Sequence, residues 1–107
     1  KYLEWFEAAR TEMMREKGIP YKEMEDRGLL MPVLEARCRF IKPVLYDQVV
    51  MIETRVKEIS RAKVTVEYRL FTQNMSVLNT TGFTLHCYMN PRGKPVRAPG
   101  DIVDKLK

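Results

Sequence analysis

Apolar side chains recur at Tyr2, Phe6, Ala9 and Met13, with Trp5 alongside, while Glu4, Glu7, Arg10, Glu12, Arg15 and Glu16 fill much of the remaining circumference. Steps of three and four residues put the apolar set on one face of a helix running from Tyr2 to Lys17. Gly18 follows as a left-handed C′ residue, and Pro20 bars continuation. The segment from Ile19 to Gly28 is short and polar. It predicts a turn with one or two helical turns, Pro20 standing near the first helical position.

Beyond Gly28 the period changes to two, the spacing of a half-buried strand. A first strand is expected over residues 30–41, with Leu34, Ala36, Cys38 and Phe40 on one face and Val33, Glu35, Arg37 and Arg39 on the other. Lys42-Pro43 breaks it, and a short loop, residues 44–47, leads to a second strand over 48–59, where Val50, Ile52, Thr54 and Val56 alternate with Met51, Glu53, Arg55 and Lys57. A tight connection at Ser60-Arg61 precedes a third strand over 62–71, with Val64, Val66, Tyr68 and Leu70 inward. Gln73-Asn74 reads as a turn. The fourth strand, over 76–89, is read with Leu85, Cys87 and Met89 inward and Thr84, His86 and Tyr88 outward; Gly82 within it predicts a bulge or a close backbone approach. Asn90-Pro91-Arg92-Gly93 is a turn, and the tail from Pro99 forms a short helix capped by Asp101 with Ile102, Val103 and Leu106 on one side. The order predicts an α+β domain over residues 1–107: one helix covering one face of a four-stranded antiparallel meander. Glu35, Arg37, Arg55, Glu67 and Arg69 lie on the other face. Two copies could join strand to strand at a free edge.

Composition narrows the chemistry. At 107 residues the chain builds one core without staples. Cys38 and Cys87 lack metal-ligand spacing and sit inside strand-like runs, which points to free thiols in a reducing, cytoplasmic setting. No apolar run reaches membrane-spanning length and no signal peptide is visible. The net charge of +5 suits a phosphorylated ligand or an acidic surface. Its basic residues are scattered rather than clustered, so nucleic acid is not the expected partner. With His86 as the single histidine, a nucleophilic triad can only use that residue, and a solvated or interface histidine is the preferred reading over a general base; one histidine and two distant cysteines are too few ligands for a metal site. Glu7, beside the apolar helix face, is either a partly buried acid with a raised pKa or a solvated acid near Arg10; the second reading is preferred. Glu35 is expected in a cross-strand ion pair. Ser60-Arg61-Ala62-Lys63 places two cations at a sheet corner, where they either meet phosphates or form a polar turn.

The run YLEWFEAARTEMMREKGIPYKEMEDRG followed by PVLEARCRFIKPVLYDQVVMIETRV resembles the hot-dog-fold acyl-CoA thioesterases, in the 4-hydroxybenzoyl-CoA and Tol-Pal-associated branch. The likeness rests on Tyr2 with Trp5-Phe6-Glu7 and Ala9-Arg10, on Gly18, and on Arg39-Phe40-x-x-Pro43 with Tyr46-Asp47. Ser60-Arg61-Ala62, Gly82-x-Thr84-x-His86 and Gly93-Lys94-Pro95-Val96-Arg97-x-Pro99 extend it over essentially the whole chain. It implies one long central helix wrapped by a twisted antiparallel sheet, assembled as a dimer and a tetramer. It also implies hydrolysis of acyl-CoA to free acid and CoA with no cofactor or metal, CoA being part of the substrate. The family's Asp-x-x-Gly-x-[Val/Ile]-[Tyr/Phe]-x-x-x-Tyr element matches only at its last position, Tyr2. The catalytic aspartate, the oxyanion-binding amide and the family's first strand are therefore expected before Lys1. Carried over to residues present, the likeness implies Tyr2 beside the acyl group, Ile59 along the pantetheine channel, and Ser60, Arg61 and Lys63 at the CoA phosphates. A non-catalytic module that binds acyl-CoA or acyl carrier protein is the alternative; an uncharged residue at the aspartate position would favour it.

Overall fold

The computed structural model describes residues 2–45, 48–73 and 75–107. The chain runs α1 (Tyr2–Glu16), α2 (Tyr21–Asp26), β1 (Val33–Phe40), β2 (Met51–Ile59), β3 (Lys63–Thr72), β4 (Val77–Cys87) and α3 (Gly100–Leu106). Helix α1 buries Phe6, Met13 and Met14 against the sheet. It ends where the spacing predicts. Gly18 takes φ +83°, Ile19 N–H donates to Met14 O (3.0 Å) and Gly18 N–H to Arg15 O (3.1 Å). That is a Schellman closure, and buried Ile19 and Met14 supply its hydrophobic contact. Helix α2 closes in the same way. Gly28 has φ +72°, Leu29 N–H donates to Met24 O (2.9 Å), and both side chains are buried.

The sheet order is β1-β4-β3-β2, every pair antiparallel. The expected four-strand meander holds for β2, β3 and β4 alone. Strand β1 does not pair with β2; it adds to the far side of β4, and the connection after Phe40 crosses to the opposite edge. Tyr46 and Asp47, within that connection, and Asn74 of the expected turn lie outside the described residues. Gln73 (φ +54°) and the bond from Ser76 N–H to Gln73 O (3.1 Å) nevertheless form a turn between β3 and β4.

The inner face of β3 is as expected: Val64, Val66, Tyr68 and Leu70 are buried. The faces of β4 are the reverse of the expectation. Register sets His86 opposite Val64 and Thr84 opposite Val66, so the polar set Thr84 and His86 points into the core beside buried Tyr88. Residues directly opposite share a face, which puts Leu85 on the outer side. The signal at Gly82 is a close approach, not a bulge. A Cβ there would lie 2.6 Å from Phe6 Cε2 and 2.7 Å from Arg37 O, so only glycine lets the Phe6 ring settle on β4. Phe6 then stacks on Tyr68, with ring centroids 4.4 Å apart and planes at 9°.

The outer face carries charge, as expected. Arg69 Nε donates to Glu53 Oε1 (3.0 Å), and Arg55 pairs with Glu67, whose carboxyl is held below the usual range by that hydrogen bond. Glu35 meets Arg37 on its own strand (3.0 Å) instead of a cross-strand partner, because side chains two apart on an edge strand share a face. Asp101 does not cap α3; Pro99 is the N-cap residue, and Asp101 lies in the first turn. Its carboxylate accepts a two-pronged contact from Arg27 (2.8 and 3.0 Å), which ties α3 to the end of α2.

Candidate functional site

The family likeness directs attention first to the N-terminal end of α1. Tyr2 packs edge-on against Phe40 (centroids 4.8 Å apart) and Trp5 (5.2 Å). A cleft of about 380 Å³ opens there between Tyr2, Phe40, Ile41, Lys42 and Pro43. Phe40 and Ile41 are largely exposed, so the cleft has apolar walls open to one side.

Ile59, Ser60 and Lys63 come together at the other predicted place, the β2–β3 corner. They line a cleft of about 260 Å³ with Glu58, Thr65 and Leu85. Ser60 Oγ accepts N–H bonds from Ala62 and Lys63, both 3.1 Å, so the serine hydroxyl shapes the corner. Arg61 does not line this cleft. Its Nε donates to Ala98 O (2.9 Å), and Ala98 N–H donates back to Arg61 O (2.8 Å). Beneath them Tyr88 Oη donates to Ser60 O (3.2 Å), and burial pushes that phenol up to about 12. The corner is thus held from two sides, by Ala98 of the C-terminal segment and by Tyr88 just past β4.

Tyr2 and the corner lie at opposite ends of the sheet. Tyr2 packs on Phe40, which pairs with Thr80 and through it with Leu70, whereas the corner opens into Val64. Six strand residues separate these positions, roughly 20 Å. One copy of the chain does not unite the predicted site.

A third feature escaped the sequence reading. Arg10 Nη1 donates to Tyr68 Oη (2.9 Å), Tyr68 Oη lies 2.7 Å from Thr84 Oγ1, Thr84 Oγ1 lies 2.8 Å from His86 Nε2, and His86 Nδ1 lies 3.1 Å from Met31 O. The direction of every bond follows from its ends. Met31 O only accepts, so Nδ1 carries the proton; neutral Nε2 then accepts from Thr84, and Thr84 accepts from Tyr68. Tyr68, Thr84 and His86 are all buried. Desolvation lowers the His86 pKa to about 4, and the Arg10 charge adds to it against the opposing bond to Met31. His86 is therefore a neutral core residue, not a solvated or interface one. Its signal in the sequence was the polar triplet Thr84-x-His86-x-Tyr88 at strand period, opposite an apolar β3. Glu7, by contrast, is exposed. Among the described residues no three His, Cys, Asp or Glu side chains converge as a metal site would require, and no helix is long and apolar enough to cross a membrane.

Known proteins match this arrangement along its length. The sequence profile of the "Thioesterase-like superfamily" matches residues 1–106. A relative from Aquifex aeolicus (strain VF5), provisionally named an esterase, is 38% identical over 106 residues, 99% of this chain and 80% of that protein. The acyl-CoA thioesterase YbgC of Haemophilus influenzae (strain ATCC 51907 / DSM 11121 / KW20 / Rd) is 28% identical over 103 residues, 95% of this chain and 75% of its own. Among solved structures, the hypothetical protein TT1821 of Thermus thermophilus superimposes with a TM-score of 0.91 at 33% identity, covering 98% of this chain and 79% of its own. The chain belongs to the thioesterase-like superfamily, a family of thioester hydrolases, and has its hot-dog fold.

Proposed function

We propose that the whole protein hydrolyses acyl-CoA thioesters to free acid and CoA. The observation that carries this reading is the family match over residues 1–106, supported by a relative named as an acyl-CoA thioesterase. Lys63, at the mouth of the corner cleft, and Arg61 beside it offer the CoA phosphates charge-assisted hydrogen bonds. Ile59 gives the pantetheine arm an apolar wall. Tyr2 borders the acyl group. The carboxylate that activates water belongs to the segment leading into α1, where the helix N-terminus also favours a developing oxyanion. CoA arrives with the substrate, and no further cofactor is called for. Two free thiols, Cys38 and Cys87, fit a cytoplasmic setting.

The reading requires a second copy. Among the described residues no strand pairs with the outer edge of β1, and Val33, Leu34, Phe40 and Ile41 stand exposed along or beside it. Antiparallel pairing of two β1 edges sets one copy's Val33 end beside its partner's Phe40 end. That brings the Tyr2 cleft of one copy to the same end of the joined sheet as the corner of the other and removes the separation of roughly 20 Å along the strands. Release of free CoA from a panel of aliphatic and aryl acyl-CoAs, measured alongside direct binding, tests the function. Turnover supports hydrolysis; tight binding with no release above buffer supports an acyl-CoA or acyl-carrier-protein binding module instead.

A further inference from the structure

Another cleft, of about 320 Å³, opens on the flank of α1 between Arg10, Met14, Tyr21 at the start of α2, Met31 ahead of the sheet and Val33 at the start of β1. Both ends of the buried polar chain are walls of it: Arg10 at one end and Met31 at the other. Tyr68 Oη holds the guanidinium from beneath, and the chain's polarity keeps an oxygen lone pair turned toward Arg10. Among the described residues, Tyr68 Oη is the one hydrogen-bond partner of Arg10, and no carboxylate lies within ion-pair distance of it. A fixed cation at the wall of a cleft whose other walls are Thr11, the Tyr21 ring and the apolar Met14, Met31, Pro32 and Val33 calls for an anion with an apolar body. Glu7, also on the rim, disfavours multiply charged anions. The volume accommodates about ten water-sized heavy atoms.

We propose that this cleft binds a small organic monocarboxylate, with its carboxylate on Arg10 and its apolar body between Met14, Met31 and Val33. The choice of an organic acid rests on the thioesterase reading, because such acids are what that reaction releases. The binding itself needs no turnover.

The test is an NMR titration of the protein, without CoA, by benzoate and hexanoate, with benzyl alcohol and inorganic phosphate as controls. Both acids are expected to shift the signals of Met14, Met31 and Val33 in a saturable way. Arg10→Met should weaken the acids at least tenfold and leave benzyl alcohol unchanged. Thr11→Trp, at an exposed position on α1 outside the buried chain, should weaken acids and alcohol alike; it decides the matter if Arg10→Met does not fold. Absence of shifts at these residues, equal acid affinity in Arg10→Met, unaltered binding in Thr11→Trp, or phosphate binding as tight as benzoate would each overturn the proposal. CoA release is followed on the same samples. Turnover without acid binding overturns this inference alone, and acid binding without turnover overturns the enzymatic reading alone.

Discussion

Protonating His86 would break the run of hydrogen bonds at Thr84. A charged imidazole donates at both nitrogens, so the Thr84 hydroxyl loses Nε2 as its acceptor and one hydroxyl hydrogen of the Thr84–Tyr68 pair is left without a partner. The folded pKa near 4 lies below the value of about 6.5 expected in the unfolded chain. Between those values the unfolded chain binds a proton that the folded one excludes. The contribution is fully present above pH 6.5 and is lost as pH falls toward 4, up to about 3 kcal/mol. Urea unfolding at pH 7.0, 5.5 and 4.5 should show this slope, and His86→Gln should remove it from that window; the same slope in the variant would contradict the assignment. The inversion of β4 has the same root. Alternation gave the two faces correctly, but hydrophobicity ranked Leu85, Cys87 and Met89 above Thr84, His86 and Tyr88. Hydropathy scores each side chain alone, whereas Thr84 and His86 tolerate burial because they satisfy each other.

Elements with local causes were legible. Helix α1 and its stop follow from spacing and Gly18, and the corner and the Asn90–Gly93 turn follow from turn chemistry, with Gly93 N–H bonded to Asn90 O at 2.9 Å. Strand order was not, because the pairing of β1 with β4 joins residues some fifty apart in sequence and leaves no local signal. Gly82 marks where α1 and the sheet meet most closely. Gly82→Ala should lower stability by about 2–3 kcal/mol, since the Arg37 carbonyl at 2.7 Å is backbone and does not swing aside. A change below about 0.5 kcal/mol in denaturant unfolding would show that the helix shifts freely over β4. At the β2–β3 corner, Lys63→Ala combined with Arg61→Ala should raise KM for acyl-CoA on the order of tenfold, as expected for lost contacts between charged groups. Its kcat should stay nearly constant, and a truncated thioester ending at pantetheine should be unaffected. A loss confined to kcat would move the corner out of the CoA site. Of the residues carried over from the family likeness, Ile59, Ser60 and Lys63 share a cleft and Arg61 stands beside it; Tyr2 does not, because one chain holds it at the other end of the sheet.

At the scale of the molecule, the proposed site draws on two separated clefts, and the open β1 edge offers a second copy a place to pair. Leu34→Lys with Phe40→Lys, both at exposed positions, should shift the assembly toward monomer in light scattering and reduce turnover with it. Full activity in a monomeric variant would refute a site shared between copies. The most direct test of the account is release of free CoA by the whole protein across short, long and aromatic acyl-CoAs. The account predicts turnover of at least one class, with KM raised in the Lys63→Ala, Arg61→Ala variant. No release above buffer for any acyl group would contradict it.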